Sequence, residues 1–137
     1  MKKYLFLSGF LASLSIPALA EVAIIVNPAN AGSATAEDVQ RMFLGKSKSF
    51  PSGGDALAFN LKDGSPAREA FNSGVLGKNE SQVKAYWSQL VFTGKGTPPK
   101  EAADEDEMKK WVASNPNAIG YIDASKVDGS VKVLLKQ

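Results

Sequence analysis

The chain has 137 residues, with 16 Lys and Arg against 14 Asp and Glu, no cysteine and no histidine. Lacking those two residue types, it is excluded from disulfides, thiol chemistry, nucleophile–histidine catalysis and the usual zinc sites, so an enzyme is not expected, nor a metal or cofactor. A chain of this length suits one domain around a single core.

The first twenty residues read as a secretory signal peptide. Lys2-Lys3 precede an apolar segment from Tyr4 to Ile16, and Pro17-Ala18-Leu19-Ala20 supplies an A-x-A cleavage pattern. Cleavage after Ala20 is expected to leave residues 21–137 as one periplasmic or secreted domain. The apolar run is too short to span a bilayer and no later segment approaches the needed length, so the protein is not expected to be membrane-embedded. Removing residues 1–20 takes two of the 16 basic residues and none of the 14 acidic ones, leaving a formally neutral chain. The pI near 8.8 then gives no support for nucleic-acid binding.

Val22-Ala23-Ile24-Ile25-Val26, bounded by Asn27-Pro28, predicts a strand buried on both faces and central in its sheet. Thr35 with Asp38 three residues later forms a capping-box pattern, and Val39, Met42 and Phe43 share one face of the short helix it opens, which Gly45 ends. Gly45-Lys46-Ser47 and Gly94-Lys95-Gly96-Thr97 are not nucleotide-binding loops: the first glycine of that motif would fall at Gln40 or Gln89. Lys46 to Asp55 is an exposed loop, with Phe50 as its packing anchor.

Ala56-Leu57-Ala58-Phe59 is a second buried strand, followed at once by Asp63-Gly64-Ser65-Pro66-Ala67-Arg68-Glu69-Ala70-Phe71. Gly64 loosens the turn, Ser65 is a favoured N-cap and Pro66 fits the first helical position. The first turn of a helix carries unpaired amides and partial positive charge, so a strand that ends in such a turn is a candidate anion site. Arg68 falls near the third helical position, where a cation needs an anion or a carboxylate such as Asp63 or Glu69 beside it. The plainer reading is a capped helix with a surface Arg–carboxylate pair.

That helix is expected to run to Val75 or Leu76, with Gly77 as its stop and Ala67, Ala70 and Phe71 inward. Ser81 is a candidate cap for a further helix whose core face holds Val83, Tyr86, Trp87, Leu90 and Val91. Thr93 to Pro99 is a loop by composition. Asp104-Glu105-Asp106-Glu107 reads as acidic capping of a helix carrying Met108, Trp111 and Val112; a calcium loop would need alternating oxygen ligands around a central glycine. Ala118 to Ile122 and Val131 to Leu135 are predicted strands, with Asp128-Gly129 as the turn between them. Strands alternating with helices imply an α/β fold, a three-layer sandwich with a mostly parallel sheet, in which ligands gather at the carboxyl ends of strands. Asn27 and Lys62 are candidates for the rim of such a site.

Four segments, taken together, carry a resemblance: Ile24 to Asn30, Val39 to Lys46, Gly64 to Phe71 and Asn115 to Ile122. They resemble the phosphate-binding proteins of ABC importers, which are class II periplasmic binding proteins. The resemblance implies one lobe of that two-lobed fold, capture of phosphate or another small oxyanion, and ligand contacts at Gly64, Ser65, Ala67 and Arg68. In the family the anion-holding turn reads Gly-Ser-Gly-Thr before the arginine, whereas here Pro66 and Ala67 replace the glycine and threonine, removing one amide donor and one hydroxyl. A single lobe leaves an anion half-solvated, so tight binding calls for a second lobe from another copy, as in a homodimer, or from a different protein. The envelope partner stays open among an ABC transporter, a porin and a receptor. The competing expectation is a ligand-free structural or protein-interaction module of the cell envelope, favoured by Pro66, Ala67 and the missing lobe.

Overall fold

The computed structural model describes residues 21–137; the predicted signal peptide, residues 1–20, lies outside the described residues. Five strands form one sheet: β1 (Val22–Val26), β2 (Leu57–Leu61), β3 (Lys100–Ala102), β4 (Ala118–Asp123) and β5 (Lys132–Lys136), in the order β3-β2-β4-β1-β5. β2 pairs in parallel with β3 and β4, while β1 pairs antiparallel with β4 and β5. Four strands therefore run one way and β1 alone runs the other. The mostly parallel sheet agrees with the sequence reading, and every residue of β1 is buried.

β4 and β5 do not form the hairpin that Asp128-Gly129 suggested. Both flank β1, separated by a short 3-10 turn at Ala124–Lys126. The turn residues are polar enough for a tight reversal, but the fully buried β1 needs hydrogen-bonding neighbours on both sides, and it takes the two last strands as those neighbours. β3 was not anticipated: three residues long and mostly exposed, it gives no period-two signal.

Helices cover both faces, making the three-layer sandwich. α1 (Ala36–Phe43) and α2 (Pro66–Phe71) lie on one face and α4 (Glu105–Ser114) on the other, while α3 (Glu80–Phe92) packs beside α1. Alternate β4 residues show the division. Tyr121 stacks on Phe71 at 4.0 Å between ring centroids and lies 5.9 Å from Phe43. A Cβ on the neighbouring Gly120 would meet Met108 Sδ of α4 at 2.5 Å. Burying each of these large side chains contributes about 1.5–3 kcal/mol, and the rings add specific edge and stacking contacts.

Thr35 caps α1 with the expected box to Asp38, and Asp104 caps α4 by accepting from the Glu107 amide. α3 is capped by Asn79 and not by Ser81, because Asn79 has Gln82 three residues on to complete a capping box. The helix opened by Ser65 ends at Gly77 as expected, in the left-handed conformation at φ 63°, but its second half, Asn72–Leu76, is a π-turn. Phe50 is buried within its exposed loop. Val91 is 53% exposed although its spacing put it on the core face, and Phe92 beside it is 91% exposed. Trp87, one turn earlier, is the last residue of α3 to be buried, against Gly45 and Gly96; beyond it only Leu90 still packs partly on the core, and Val91 and Phe92 point away from it. Among the described residues no helix is long and apolar enough to cross a membrane.

Candidate functional site

The anion-site candidate begins where β2 ends. Asn60 is buried there, its Oδ1 accepting from the Tyr121 hydroxyl and from the Leu61 amide. The Tyr121 oxygen in turn accepts from the Leu61 amide at 3.2 Å. Burial pushes the Tyr121 phenol upward, so it remains a neutral donor. This network locks the last residues of the strand before the chain turns.

The turn has the form its residues dictate. The Ser65 amide donates to Lys62 O at 3.2 Å, and Gly64 occupies φ 88°, which L side chains rarely adopt. Ser65 is the N-cap, its Oγ accepting from the Arg68 amide at 3.4 Å, with Pro66 at the first helical position. Gly64 and Ser65 line a recess of about 290 Å³ with Lys62, Asp63 and Ala103, the residues that immediately follow β2 and β3. It therefore opens at the carboxyl ends of parallel strands, where α/β sheets hold their ligands.

Ala67 and Arg68 are not brought into that recess. The Ala67 side chain is buried. Arg68, 5% exposed, extends away from the first turn into a network of its own. Its Nε and Nη2 donate to the two oxygens of Glu80 at 3.0 and 2.5 Å, and Nη1 donates to Leu61 O at 2.8 Å and Glu101 Oε2 at 2.5 Å. Asn72 Nδ2 supports Glu80 at 2.7 Å. Burial works against the guanidinium charge, but hydrogen bonds to Glu80 and then Glu101 outweigh it and raise its pKa.

The carboxylates that balance Arg68 are thus distant in sequence, not the neighbours Asp63 and Glu69. Asp63 pairs with Lys84 at 2.5 Å, and Glu69 lies beside a different hollow. Glu80 and Glu101 are the site residues that sequence reasoning missed. They lie 12 and 33 residues beyond Arg68, one at the start of α3 and one on the unanticipated β3, and no local motif joins them. Asn27 is structural: its amide donates to Val112 O and Ala113 O at 3.0 and 2.9 Å, tying the end of β1 to α4. Lys62 is exposed at the recess rim. Among the described residues no cluster of three or more carboxylates could hold a metal ion.

Charge separates the two halves of this region. One guanidinium facing two carboxylates leaves the Arg68 network with an excess negative charge, whereas the recess carries exposed Lys62 and an Asp63 already paired with Lys84. An anion meets less repulsion at the recess than at the guanidinium, unless Glu101 is displaced. Glu101 is the looser partner, with one contact and a side chain 47% exposed against 22% for Glu80.

The same fold occurs in solved proteins. One from Clostridium perfringens, described as a phosphate ABC transporter substrate-binding protein and solved with bound phosphate, matches 85% of this chain at 26% identity and TM-score 0.64. This chain has the fold of one lobe of such a protein. An ABC-type phosphate transport receptor from Vibrio cholerae matches 85% at 23% identity and TM-score 0.63, and PstS from Borrelia burgdorferi matches 84% at 14% identity and TM-score 0.54. This chain covers 45%, 47% and 47% of the three, so it spans less than half the length of the substrate-binding proteins it matches. No protein-family model and no curated protein sequence matches it.

Proposed function

We propose that the chain is a periplasmic or secreted solute-binding module that captures phosphate or a similar small oxyanion beside the turn at Gly64 and Ser65. The observation that carries this reading is the recess at the carboxyl ends of β2 and β3, lined by Lys62, Gly64 and Ser65, in a lobe whose similar solved proteins include one with bound phosphate. In this reading the Ser65 hydroxyl donates to the anion, with exposed Lys62 beside it at the recess rim. Arg68 joins when the anion replaces Glu101 on Nη1, so that one negative group exchanges for another and the guanidinium never lies buried and unpaired. A second lobe closes the cage, and the module serves an envelope partner of the ABC-transporter type.

Calorimetric titration of residues 21–137 with phosphate tests this. Saturable heat is expected, with Glu101→Gln binding about tenfold more tightly because a competing charge is gone, and with Arg68→Lys weaker because the planar fork is lost. Circular dichroism confirms that each variant is folded. A flat titration for both wild type and Glu101→Gln at millimolar phosphate overturns the reading.

One observation favours a second reading. Arg68 already holds two carboxylates and a backbone carbonyl, a fully engaged arrangement in which it stabilises the lobe rather than recruiting a ligand. The lobe is then a ligand-free interaction module of the cell envelope, and the Glu101→Gln titration stays flat.

A further inference from the structure

Asn60, on β2, has one half of its side chain that the fold does not use. The residue is 5% exposed. Its Oδ1 accepts from the Leu61 amide at 3.0 Å and from the Tyr121 hydroxyl, and because the Leu61 N–H can only donate, that end of the side-chain amide is the oxygen. Nδ2 then points the other way and meets no acceptor among the described residues, although a donor this far out of water ordinarily has one. Beyond it lies a hollow that Asn60 borders together with Asp63, Arg68 and Glu101. Asp63 also lines the recess at Gly64 and Ser65, so hollow and recess adjoin.

Building on the reading that an oxyanion replaces Glu101 on Arg68, we infer that Asn60 is a further ligand-binding residue, its Nδ2 donating to the anion that Arg68 Nη1 holds. Register supplies the geometry. Asn60 and Glu101 are paired directly across the parallel strands β2 and β3, so their side chains leave the same face of the sheet side by side. Glu101 turns its carboxylate to Arg68 Nη1 at 2.5 Å, and the place it fills therefore lies beside both the guanidinium and Asn60. An anion in that place meets a guanidinium N–H and a side-chain amide N–H. Leu61 and Tyr121 already fix the amide, so binding need not order it. Asn60 is uncharged, so it adds a donor without altering the charge balance among Arg68, Glu80 and Glu101. Two donors carried on different elements call for two acceptor oxygens on one centre, which phosphate, sulfate and carboxylate possess and a halide lacks.

Nuclear magnetic resonance of isotopically labelled residues 21–137, titrated with phosphate alongside calorimetry, tests the assignment. The Asn60 Nδ2 proton signals are expected to shift saturably, with the dissociation constant that the heat gives, and to stay still in sodium chloride of equal ionic strength. Asn60→Asp keeps an acceptor for the Leu61 amide and the Tyr121 hydroxyl while replacing the donor with an oxygen. In the Glu101→Gln background it should weaken phosphate binding at least about tenfold, as the loss of a hydrogen bond to a charged group does. Circular dichroism shows whether that variant is folded, and if it is not, the signal shift in the unsubstituted chain decides. Saturable heat with unmoved Asn60 signals, signals that chloride moves equally, or unchanged affinity in folded Asn60→Asp overturns this inference and leaves the oxyanion reading standing. Flat heat in both wild type and Glu101→Gln overturns that reading and this inference with it.

Discussion

Arg68 shows how one side chain can decide between two uses of the same turn. A guanidinium taken out of water must be paired, and here Glu80 and Leu61 O do most of that work, with Glu101 completing it at the surface. Arg68→Ala is therefore expected to destabilise the lobe by about 3 kcal/mol, since it strands a partly buried carboxylate and a buried carbonyl. Glu101→Gln should change stability by about 1 kcal/mol or less, because its side chain is nearly half exposed and Arg68 keeps its bidentate partner. Urea unfolding of the two variants measures the contrast. A second residue-scale expectation concerns acid. Hydrogen bonds from the Ser130 hydroxyl and amide, then Lys109, hold Asp128 down to about 2 from an ordinary 3.8. With the folded value below the unfolded one, the stabilising contribution is complete above about pH 4 and is lost as pH falls through about 2. Asp128→Asn should flatten the fall in stability across that window, followed by urea titrations at each pH.

At the level of elements, Gly120 explains why α4 lies so close to the sheet. A methyl group there would meet Met108 Sδ at 2.5 Å and Val112 Cγ2 at 3.3 Å, so Gly120→Ala forces the buried Met108 side chain, or α4 with it, to shift. The expected loss is about 1–3 kcal/mol by overpacking, read by thermal unfolding, with Met108→Ala in the same chain restoring part of it. The π-turn at Asn72–Leu76 is a related device: it lets Val75 and Leu76 stay buried while Asn72 turns in toward Glu80. Most elements were legible because their signals are local. The run of five apolar residues marks β1, the Thr35 and Asp38 pair marks the start of α1, and Gly64-Ser65-Pro66 marks a helix entry. The direction of Arg68 was not legible, since it depends on Glu80 and Glu101, which only the folded chain brings near. β3 was hidden because its exposed, charged residues look like loop, and the exposure of Val91 was hidden because periodicity reports a face without reporting whether anything covers it.

For the whole molecule, stability rests on a single sheet closed on one side by β5. With no disulfide available, deleting residues 132–137 would leave β1 as an open, wholly apolar edge. The truncated chain is expected to aggregate on refolding, which size-exclusion chromatography would show, whereas full-length protein elutes as a defined species. The same deletion should abolish any phosphate heat, since the recess depends on a sheet that no longer assembles.

Val22 and Gln137 exchange two backbone hydrogen bonds, at 2.8 and 2.9 Å, across the β1–β5 pair. A few flexible residues would join them at little entropic loss. The backbone could then be reopened in the exposed loop around Ser52 to Gly54 to give a circular permutant with the same sheet. Such a rewired chain would also let two lobes be fused in tandem through a different point of the surface, separating the architecture of the lobe from the order in which it is threaded.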